Sequence, residues 1–195
     1  MIKSLSISNA IFTDSKDGSI SEVLKKLNFK KFSEMHQTHS DHYLKINSEG
    51  TYKADAIVTS KRNLPLVVKT ADCLPILVTD TKFVAAIHAG WRGLENKIIE
   101  KTLSNFNKAK LRVNVGPHAQ SCCYEVKDDV AVFFEKFIDI RSGKKYLNMS
   151  EIIKDYFETN KIENEISEIC TICDPNYFSF RDNGTKNRQF GIIWI

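Results

Sequence analysis

The sequence has no apolar run long enough to span a membrane, and its first residues lack the apolar stretch of a secretory signal peptide. It also lacks a composition break, a Gly/Ser linker, a low-complexity segment and an internal repeat. These absences predict a soluble, cytoplasmic protein with a single domain over residues 1–195. With 195 residues and 42% hydrophobic content, the chain can bury one sizeable core.

Basic residues exceed acidic residues only slightly, by 28 to 24, which gives a net charge of +4. The basic residues are scattered, as in Lys25-Lys26 and Lys144-Lys145, and they are not interleaved with aromatic side chains as on nucleic-acid-binding surfaces. We therefore expect neither a nucleic acid nor a membrane as partner. A local anion site is compatible with this charge and would suit a phosphate-bearing substrate.

Cysteine is sparse, with five residues, and in a cytoplasmic chain we expect thiols rather than disulfides. Cys122 and Cys123 are adjacent, so the two are not expected to point into one site. Cys170 and Cys173 form a lone C-x-x-C, which is weak evidence for zinc or redox function. On a strand these two thiols would point to opposite faces. We predict that they are buried structural thiols.

Apolar runs predict strands over residues 3–7, 31–36, 42–46, 56–59, 66–69, 74–79, 83–87, 111–115, 166–172, 177–180 and 190–195. Helical spacing occurs at residues 20–27, after the capping box of Ser19 and Glu22, and again at 94–103, 130–137 and 152–157. The 130–137 segment follows Asp128 and Asp129, and the 152–157 segment is opened by Asn148 and Glu151; the aromatic residues of both are expected in the core. Strands and helices without regular βαβ alternation predict an α+β fold.

Candidate metal ligands stand at breaks in the apolar pattern. His88 directly follows the apolar run over residues 83–87, and Cys73 lies between two apolar runs. His39 lies in a polar segment after a short predicted strand. Two imidazoles and a thiolate suit zinc, with copper as the other candidate ion. Their spacing is far too wide for a zinc finger, whereas three ligands plus an open position is the pattern of catalytic zinc. Taken alone, this segment is more typical of a satisfied histidine at a strand end before a helix than of a metal ligand.

Three motifs occur in order: Gln-Thr-His at 37–39, Thr-Ala-Asp-Cys-Leu-Pro at 70–75, and His-Ala-Gly-Trp-Arg-Gly at 88–93. Weaker marks are Gly116-Pro117, Cys-Tyr-Glu-Val at 123–126, Cys170-Thr171, Phe-Ser-Phe-Arg-Asp at 178–182, and Arg188. Together they resemble the YfiH-type family, also called the laccase-domain or multicopper polyphenol oxidase family, over nearly the whole chain. The chain departs from the usual pattern at Ser40, where members have glycine, and at Arg181-Asp182, where members have Arg-Arg-Asp.

The resemblance implies a four-layer α/β/β/α fold with two mixed sheets and a metal site at one edge. It implies a zinc enzyme that cleaves adenosine, inosine, guanosine or methylthioadenosine with phosphate (a transferase reaction) and deaminates adenosine (a hydrolase reaction). Its partners would be a small-molecule nucleoside and phosphate, and we expect a monomer or homodimer. Older assignments of the family imply a copper polyphenol oxidase. The chain has five histidines, too few for a multicopper centre.

We assign catalytic roles to Cys73, His88 and Arg92, and substrate binding to Arg92, Arg181 and Arg188. Arg92 would clamp phosphate or carboxylate, against the alternative of a surface ion pair.

Asp72 is either a group that orients a ligand or a turn residue, and with Glu125 it is a candidate proton carrier. Trp91 is expected to pack under the glycine turn. The remaining histidines are expected outside the ligand set: His36 lies on the other face of its strand, His42 has no partner visible in the sequence, and His118 is expected to be exposed to solvent.

Two other classes of function stay open. One is a cysteine hydrolase acting on cell-wall precursors, in which Cys73 is the nucleophile and His88 the base. The other is a non-enzymatic protein with a closed structural metal site, which requires a fourth protein ligand that the sequence does not reveal.

Overall fold

The computed structural model describes residues 1–195. Its strands are β1 (Ile2–Lys3), β2 (Ala10–Phe12), β3 (Ser33–Met35), β4 (Tyr43–Lys45), β5 (Gly50–Tyr52), β6 (Ala56–Thr59), β7 (Leu66–Thr70), β8 (Leu74–Thr79), β9 (Val84–Ala89), β10 (Arg112–Val115), β11 (Glu125–Val126), β12 (Ile138–Arg141), β13 (Lys144–Leu147), β14 (Glu163–Ile166) and β15 (Gln189–Ile193). Its helices are α1 (Ile20–Lys26), α2 (Trp91–Glu95), α3 (Ile98–Leu103), α4 (Asp128–Ala131), α5 (Met149–Thr159) and α6 (Phe180–Asn183). No helix is long and apolar enough to cross a membrane.

The strands form two mixed six-stranded sheets and one sheet of three strands. The first has the order β1-β2-β15-β7-β3-β5, the second β14-β10-β8-β9-β6-β4, and the third β11-β13-β12. Many neighbours are far apart in sequence, so residues from distant segments meet at the ends of each sheet.

Side-chain alternation along the central strands builds the four layers. On β7, Leu66 and Val68 enter the core between the two large sheets, while Val67 faces outward against α1. On β8, Leu77 enters the same inter-sheet core, while Ile76 faces the opposite layer of α2, α3 and α5. The order is therefore helix, sheet, sheet, helices, which confirms the α/β/β/α fold.

Both predicted helix starts that carry capping side chains are confirmed. Ser19 and Glu22 form the reciprocal capping box of α1, and the Asn148 side chain accepts a hydrogen bond from the Glu151 N–H at the start of α5. The predicted helix over 94–103 is wrong in its continuity, because Lys97 takes a left-handed conformation (φ 61°) that separates α2 from α3.

The predicted helix over 130–137 is wrong in extent. Helix α4 ends at Ala131, and a 3₁₀ turn over residues 135–137 follows. Phe133 is 51% exposed, so the expectation that this aromatic residue is in the core is also wrong.

Three predicted strands are wrong. The strand over 3–7 is confirmed only at Lys3, because β1 ends there and the N–H groups of Leu5 and Ser6 bond to the Glu165 carboxylate instead of a neighbouring strand. The strand over 166–172 ends at Ile166, with only an isolated bridge at Cys170, and residues 171–173 turn. The strand over 177–180 gives way to α6, because the Ser179 side chain caps the N–H of Asp182. Strands β2, β5 and β11 to β13 escaped sequence analysis because they have two to four residues each, too few to show a period.

Candidate metal and substrate site

Three strands of the second sheet carry polar side chains to one end of the sandwich. Asp55 directly precedes β6, Cys73 directly precedes β8, and His88 lies at the end of β9. Each shares its face with a side chain of the inter-sheet core: Asp55 with Ile57, Cys73 with Leu77, and His88 with Ala86. All three therefore point into the space between the sheets, where the apolar core ends.

The structure brings His39, Cys73 and His88 together, and we call them the three-ligand cluster. Their ligand atoms all lie within 4.8 Å of one another. The two imidazole rings meet edge to face, with centroids 4.8 Å apart. His39 has a left-handed backbone (φ 58°), which histidine tolerates better than most residues and which turns its ring toward Cys73.

Asp55 organises this cluster, and sequence analysis missed it. Its carboxylate is fully buried and accepts a hydrogen bond of 2.8 Å from His88 Nδ1. It also accepts bonds from the backbone N–H groups of Thr38, His39 and Ser40, and from the Ser40 hydroxyl. One carboxylate thus sets the ring of His88, directs its Nε2 toward Cys73, and fixes the loop that carries His39. The only signal in the sequence is a charge between two alanines before an apolar run.

The electrostatics of the cluster favour a thiolate. Burial opposes ionisation of Cys73, but the charge of His88 and hydrogen bonds from both imidazoles lower the pKa of Cys73 to about 6. Burial likewise opposes the charge on His88, but the thiolate and Asp55 raise the pKa of His88 to about 9. At Asp55, hydrogen bonds from His88 and Ser40 outweigh burial and hold the pKa well below its usual range.

Two motif residues, Gln37 and Gly90, explain why the side chains of the three-ligand cluster can approach one another. The side-chain amide of Gln37 pairs with the backbone of Lys69 in both directions, at 2.7 and 2.9 Å, so it anchors the loop before His39. A Cβ added to Gly90 would lie 3.0 Å from Cys73 Sγ and 3.3 Å from His39 Cδ2. Only glycine leaves that space free.

The three-ligand cluster lies in the wall of a cavity of about 570 Å³. All three arginines that we selected from the sequence, Arg92, Arg181 and Arg188, line the same cavity. Arg92 is exposed, makes no salt bridge, and its guanidinium lies 4.2 Å from the centre of the Trp91 ring. The surface ion pair considered for Arg92 is therefore absent. Trp91 in turn stacks on Phe133, with ring centroids 6.2 Å apart.

A buried hydroxyl without a protein partner lies beside the cavity. Thr70, at the end of β7, faces the inter-sheet side with Val68, and its Oγ1 is the one buried side-chain polar atom that lacks a hydrogen bond. Tyr124 also lines the wall, and the guanidinium of Arg181 lies 4.8 Å from its ring centre. Phe180, 57% exposed, adds a second aromatic side chain at the rim.

Asp72 and Glu125, the candidate proton carriers, are both engaged elsewhere. The carboxylate of Asp72 accepts hydrogen bonds from the Thr171 hydroxyl (2.8 Å) and the Arg181 N–H (2.7 Å). It has a left-handed backbone (φ 92°) and ties the C-terminal segment to the cavity instead of orienting a ligand. Glu125 pairs with Lys144 on the surface.

The other histidines divide into two groups. His36 lines the cavity although it was expected on the other face, but it lies outside the three-ligand cluster. His42 is exposed. The prediction that His118 is exposed is wrong: it is fully buried, donates from Nδ1 to the Gly116 carbonyl, and lies 2.8 Å from the Ser150 hydroxyl. Burial lowers the pKa of His118 to about 4, so its ring is neutral.

The prediction of separate, buried thiols in the second half of the chain is also wrong. The sulfurs of Cys122, Cys123, Cys170 and Cys173 all lie within 4.8 Å of one another. Cys122 and Cys173 are exposed, and only Cys170 is buried. Alternation does not apply, because these residues lie in turns and not on strands.

Comparison with known proteins agrees with this architecture. The model of the multi-copper polyphenol oxidoreductase laccase family matches residues 17–195. The chain belongs to this family. Among its family relatives, the chain is 34% identical to a purine nucleoside phosphorylase of Aquifex aeolicus, over 88% of this chain and 89% of that protein. It is 31% identical to a purine nucleoside phosphorylase of Clostridium acetobutylicum, over 94% of this chain and 85% of that one.

Solved structures of the family have the same fold. Protein YfiH of Bacillus licheniformis superposes with a TM-score of 0.82 at 26% identity, covering 89% of this chain and 78% of that one. YlmD of Geobacillus stearothermophilus superposes with a TM-score of 0.85, covering 98% and 93%, at 21% identity.

Proposed function

We propose that this chain is a zinc-dependent enzyme that cleaves adenosine, inosine, guanosine or methylthioadenosine with phosphate, and that it also deaminates adenosine. The observation that carries this proposal is one cavity that joins the three-ligand cluster to three arginines. A metal-binding set and a cationic rim together suit a substrate pair in which one partner is phosphate. The relatives named purine nucleoside phosphorylase supply the substrate class.

The residues present fit a zinc ion. Two imidazoles and a thiolate are preferred zinc donors, and the carboxylate of Asp55 behind His88 is the usual support of a zinc-binding histidine. No fourth His, Cys, Asp or Glu joins the three-ligand cluster, so a zinc ion there would keep an open position, which a closed structural site lacks. Zinc in such a site polarises a bound oxygen or lowers the pKa of water.

The chain's own side chains supply binding and orientation. Arg92 presents an unpaired guanidinium that binds two oxygens of phosphate at once, and Arg181 and Arg188 add positive charge to the same wall. Tyr124 and Phe180 offer aromatic faces for the purine base.

The family name implies multicopper chemistry, which this residue set does not support. Several copper centres require many imidazoles, and the chain has five. Only two of them belong to the three-ligand cluster, and His118 is locked in its own hydrogen bonds. Tighter binding of copper than of zinc in vitro would follow from the Irving–Williams order alone.

A cysteine hydrolase is the competing function, because Cys73, His88 and Asp55 also form a thiolate–imidazole–carboxylate series. His39 distinguishes the two. A hydrolase needs one imidazole base, whereas here both His39 and His88 converge on the same sulfur, which is the requirement of a metal site.

The products formed from adenosine test the proposal. Zinc-loaded protein is incubated with adenosine, with and without phosphate, and the bases are separated by chromatography. Adenine that forms only with phosphate shows phosphorolysis, and inosine shows deamination. Chelation and Cys73→Ser should abolish both reactions.

A cysteine hydrolase would resist chelation, would be inactivated by iodoacetamide, and would release neither product. If zinc-loaded protein yields neither base nor inosine from any purine nucleoside, the nucleoside proposal is wrong and the hydrolase takes its place.

A further inference from the structure

Two turns bring four cysteines together next to segments that line the cavity. We call Cys122, Cys123, Cys170 and Cys173 the four-cysteine cluster. The first turn spans residues 121–123 and the second 171–173. In the first, the N–H groups of Cys123 and Tyr124 bond to the Gln120 carbonyl, which lets two adjacent side chains point the same way. In the second, the Asp174 N–H bonds to the Cys170 carbonyl and closes the C-x-x-C loop.

The distances match a single tetrahedral ion. A zinc ion about 2.3 Å from each of four sulfurs separates those sulfurs by about 3.8 Å. Every pair in the four-cysteine cluster lies within 4.8 Å, and Cys122 Sγ and Cys173 Sγ are 3.4 Å apart. All four are free thiols, so no disulfide divides them into pairs.

A backbone donor contacts the buried sulfur of the cluster. The Gln120 N–H donates a hydrogen bond to Cys170 Sγ, at 3.4 Å. Such a donor neutralises part of the charge on a metal-bound thiolate and orients it.

We propose that the four-cysteine cluster binds one zinc ion in a closed structural site. Four thiolates fill the tetrahedral shell, so no position remains for water or substrate. This site is separate from the three-ligand cluster, and the proposal does not depend on nucleoside turnover.

The ion would cross-link two segments that shape the cavity. Tyr124 follows the first turn and lines the cavity, and its neighbour Glu125 accepts a hydrogen bond from Arg181 at its carbonyl, at 2.9 Å. In the second turn, the Thr171 hydroxyl bonds to Asp72, next to Cys73. A backbone bridge between His118 and Cys170 already joins the two segments, and the metal would add a second link between residues 121–123 and 171–173.

Metal content in variants tests the four-cysteine site alone. The double variant Cys73→Ser/His39→Ala leaves a single ligand in the three-ligand cluster, so the one zinc per chain that we expect must lie elsewhere. Adding Cys173→Ser should reduce zinc to background. Elemental analysis of the purified proteins measures both, and thermal melting with and without chelator should show stabilisation by zinc only in the double variant.

Cobalt binding provides a second test, in which the four-cysteine cluster itself is left intact. In Cys73→Ser the four cysteines are the only thiols in the chain, so any thiolate-to-cobalt charge-transfer band must come from them. We expect this band at one cobalt per chain, with displacement by one zinc. Absence of the band, metal at background in the double variant, iron in place of zinc, or a mass loss showing disulfides would each overturn the proposal.

Discussion

At the scale of single residues, Asp55 joins the two histidines of the three-ligand cluster. One of its oxygens accepts from His88 Nδ1 and from the His39 N–H, at 2.8 and 3.1 Å. Loss of such support for a metal-binding histidine weakens metal binding by about 10- to 100-fold. We therefore expect Asp55→Asn to weaken zinc binding by that factor, measured by competition with a chromogenic chelator.

Asp80 provides the matched control for Asp55. It is also buried and accepts hydrogen bonds from the backbone N–H groups of Phe83 and Asn107. Cys73 precedes β8 whereas Asp80 follows it, so the two lie at opposite ends of the strand. Asp80→Asn should lower thermal stability and leave zinc affinity unchanged. Equal zinc affinity in Asp55→Asn and the wild type would contradict the role given to Asp55.

Arg92 is free to bind an anion, because its guanidinium has no carboxylate partner. Arg92→Lys keeps the charge but loses the planar fork, and the loss of one charge-assisted hydrogen bond weakens binding by roughly ten-fold. We expect KM for phosphate to rise by that factor while the melting temperature stays constant.

Arg112→Lys is the control for Arg92→Lys. Arg112 pairs with Glu163 and lies opposite Thr79, at the end of the second sheet far from the cavity. Its replacement should leave KM unchanged. A lower melting temperature with unchanged kinetics in Arg92→Lys would indicate that Arg92 stabilises the fold instead.

At the scale of elements, the connection from β9 to α2 is built around Gly90. Its backbone (φ −81°, ψ 178°) suits any residue, so only the space beside Cys73 and His39 requires glycine. Gly90→Ala should therefore displace one of these side chains and weaken zinc binding by at least about 10-fold, with little change in the stability of metal-free protein. Calorimetric titration with zinc and thermal melting measure the two effects.

Gly93→Ala, in the same turn, is the matched control. A Cβ there would press on Ile98 Cγ2 at 3.2 Å, an apolar contact between α2 and α3. It should alter thermal stability and leave zinc affinity as in the wild type. If both variants bind zinc equally well, steric exclusion at Gly90 is not what shapes the cluster.

At the scale of the whole molecule, buried His118 couples the loop after β10 to α5 through Ser150. Burial lowers its pKa from 6.5 to about 4. Between these values the unfolded chain binds more protons than the folded one, so stability is full above pH 6.5 and falls as the pH drops toward 4. We expect His118 to account for a loss of about 2 kcal/mol between pH 7 and pH 5.

Urea unfolding at both pH values, with chelator present, measures this loss. His118→Gln cannot take up a proton at this position and should show a smaller pH-dependent loss. His42→Gln, which removes an exposed histidine, should behave as the wild type does. A wild-type loss equal to that of His118→Gln would show that other groups cause the acid sensitivity.

The sequence by itself determined where the central strands lie and which residues carry the candidate ligand chemistry. The apolar runs over residues 66–69, 74–79 and 83–87 coincide with β7, β8 and β9. The four layers were implied only by the family resemblance, because a continuous apolar run does not show which sheet face each side chain takes. The caps of α1 and α5 are local hydrogen bonds, so they too could be predicted. The motifs identified His39, Cys73 and His88 because imidazole and thiolate are distinctive residue types.

Only the tertiary structure decided which of these groups meet. The pairing of β6 with β9 places Asp55 behind His88, and no local pattern encodes a contact between residues 33 positions apart. The burial of His118 and the assembly of the four-cysteine cluster depend in the same way on turns that approach from distant parts of the chain. Periodicity reports which way a side chain faces within its own element. What it faces is fixed by the order of strands in the sheets, and that order is a property of the folded chain as a whole.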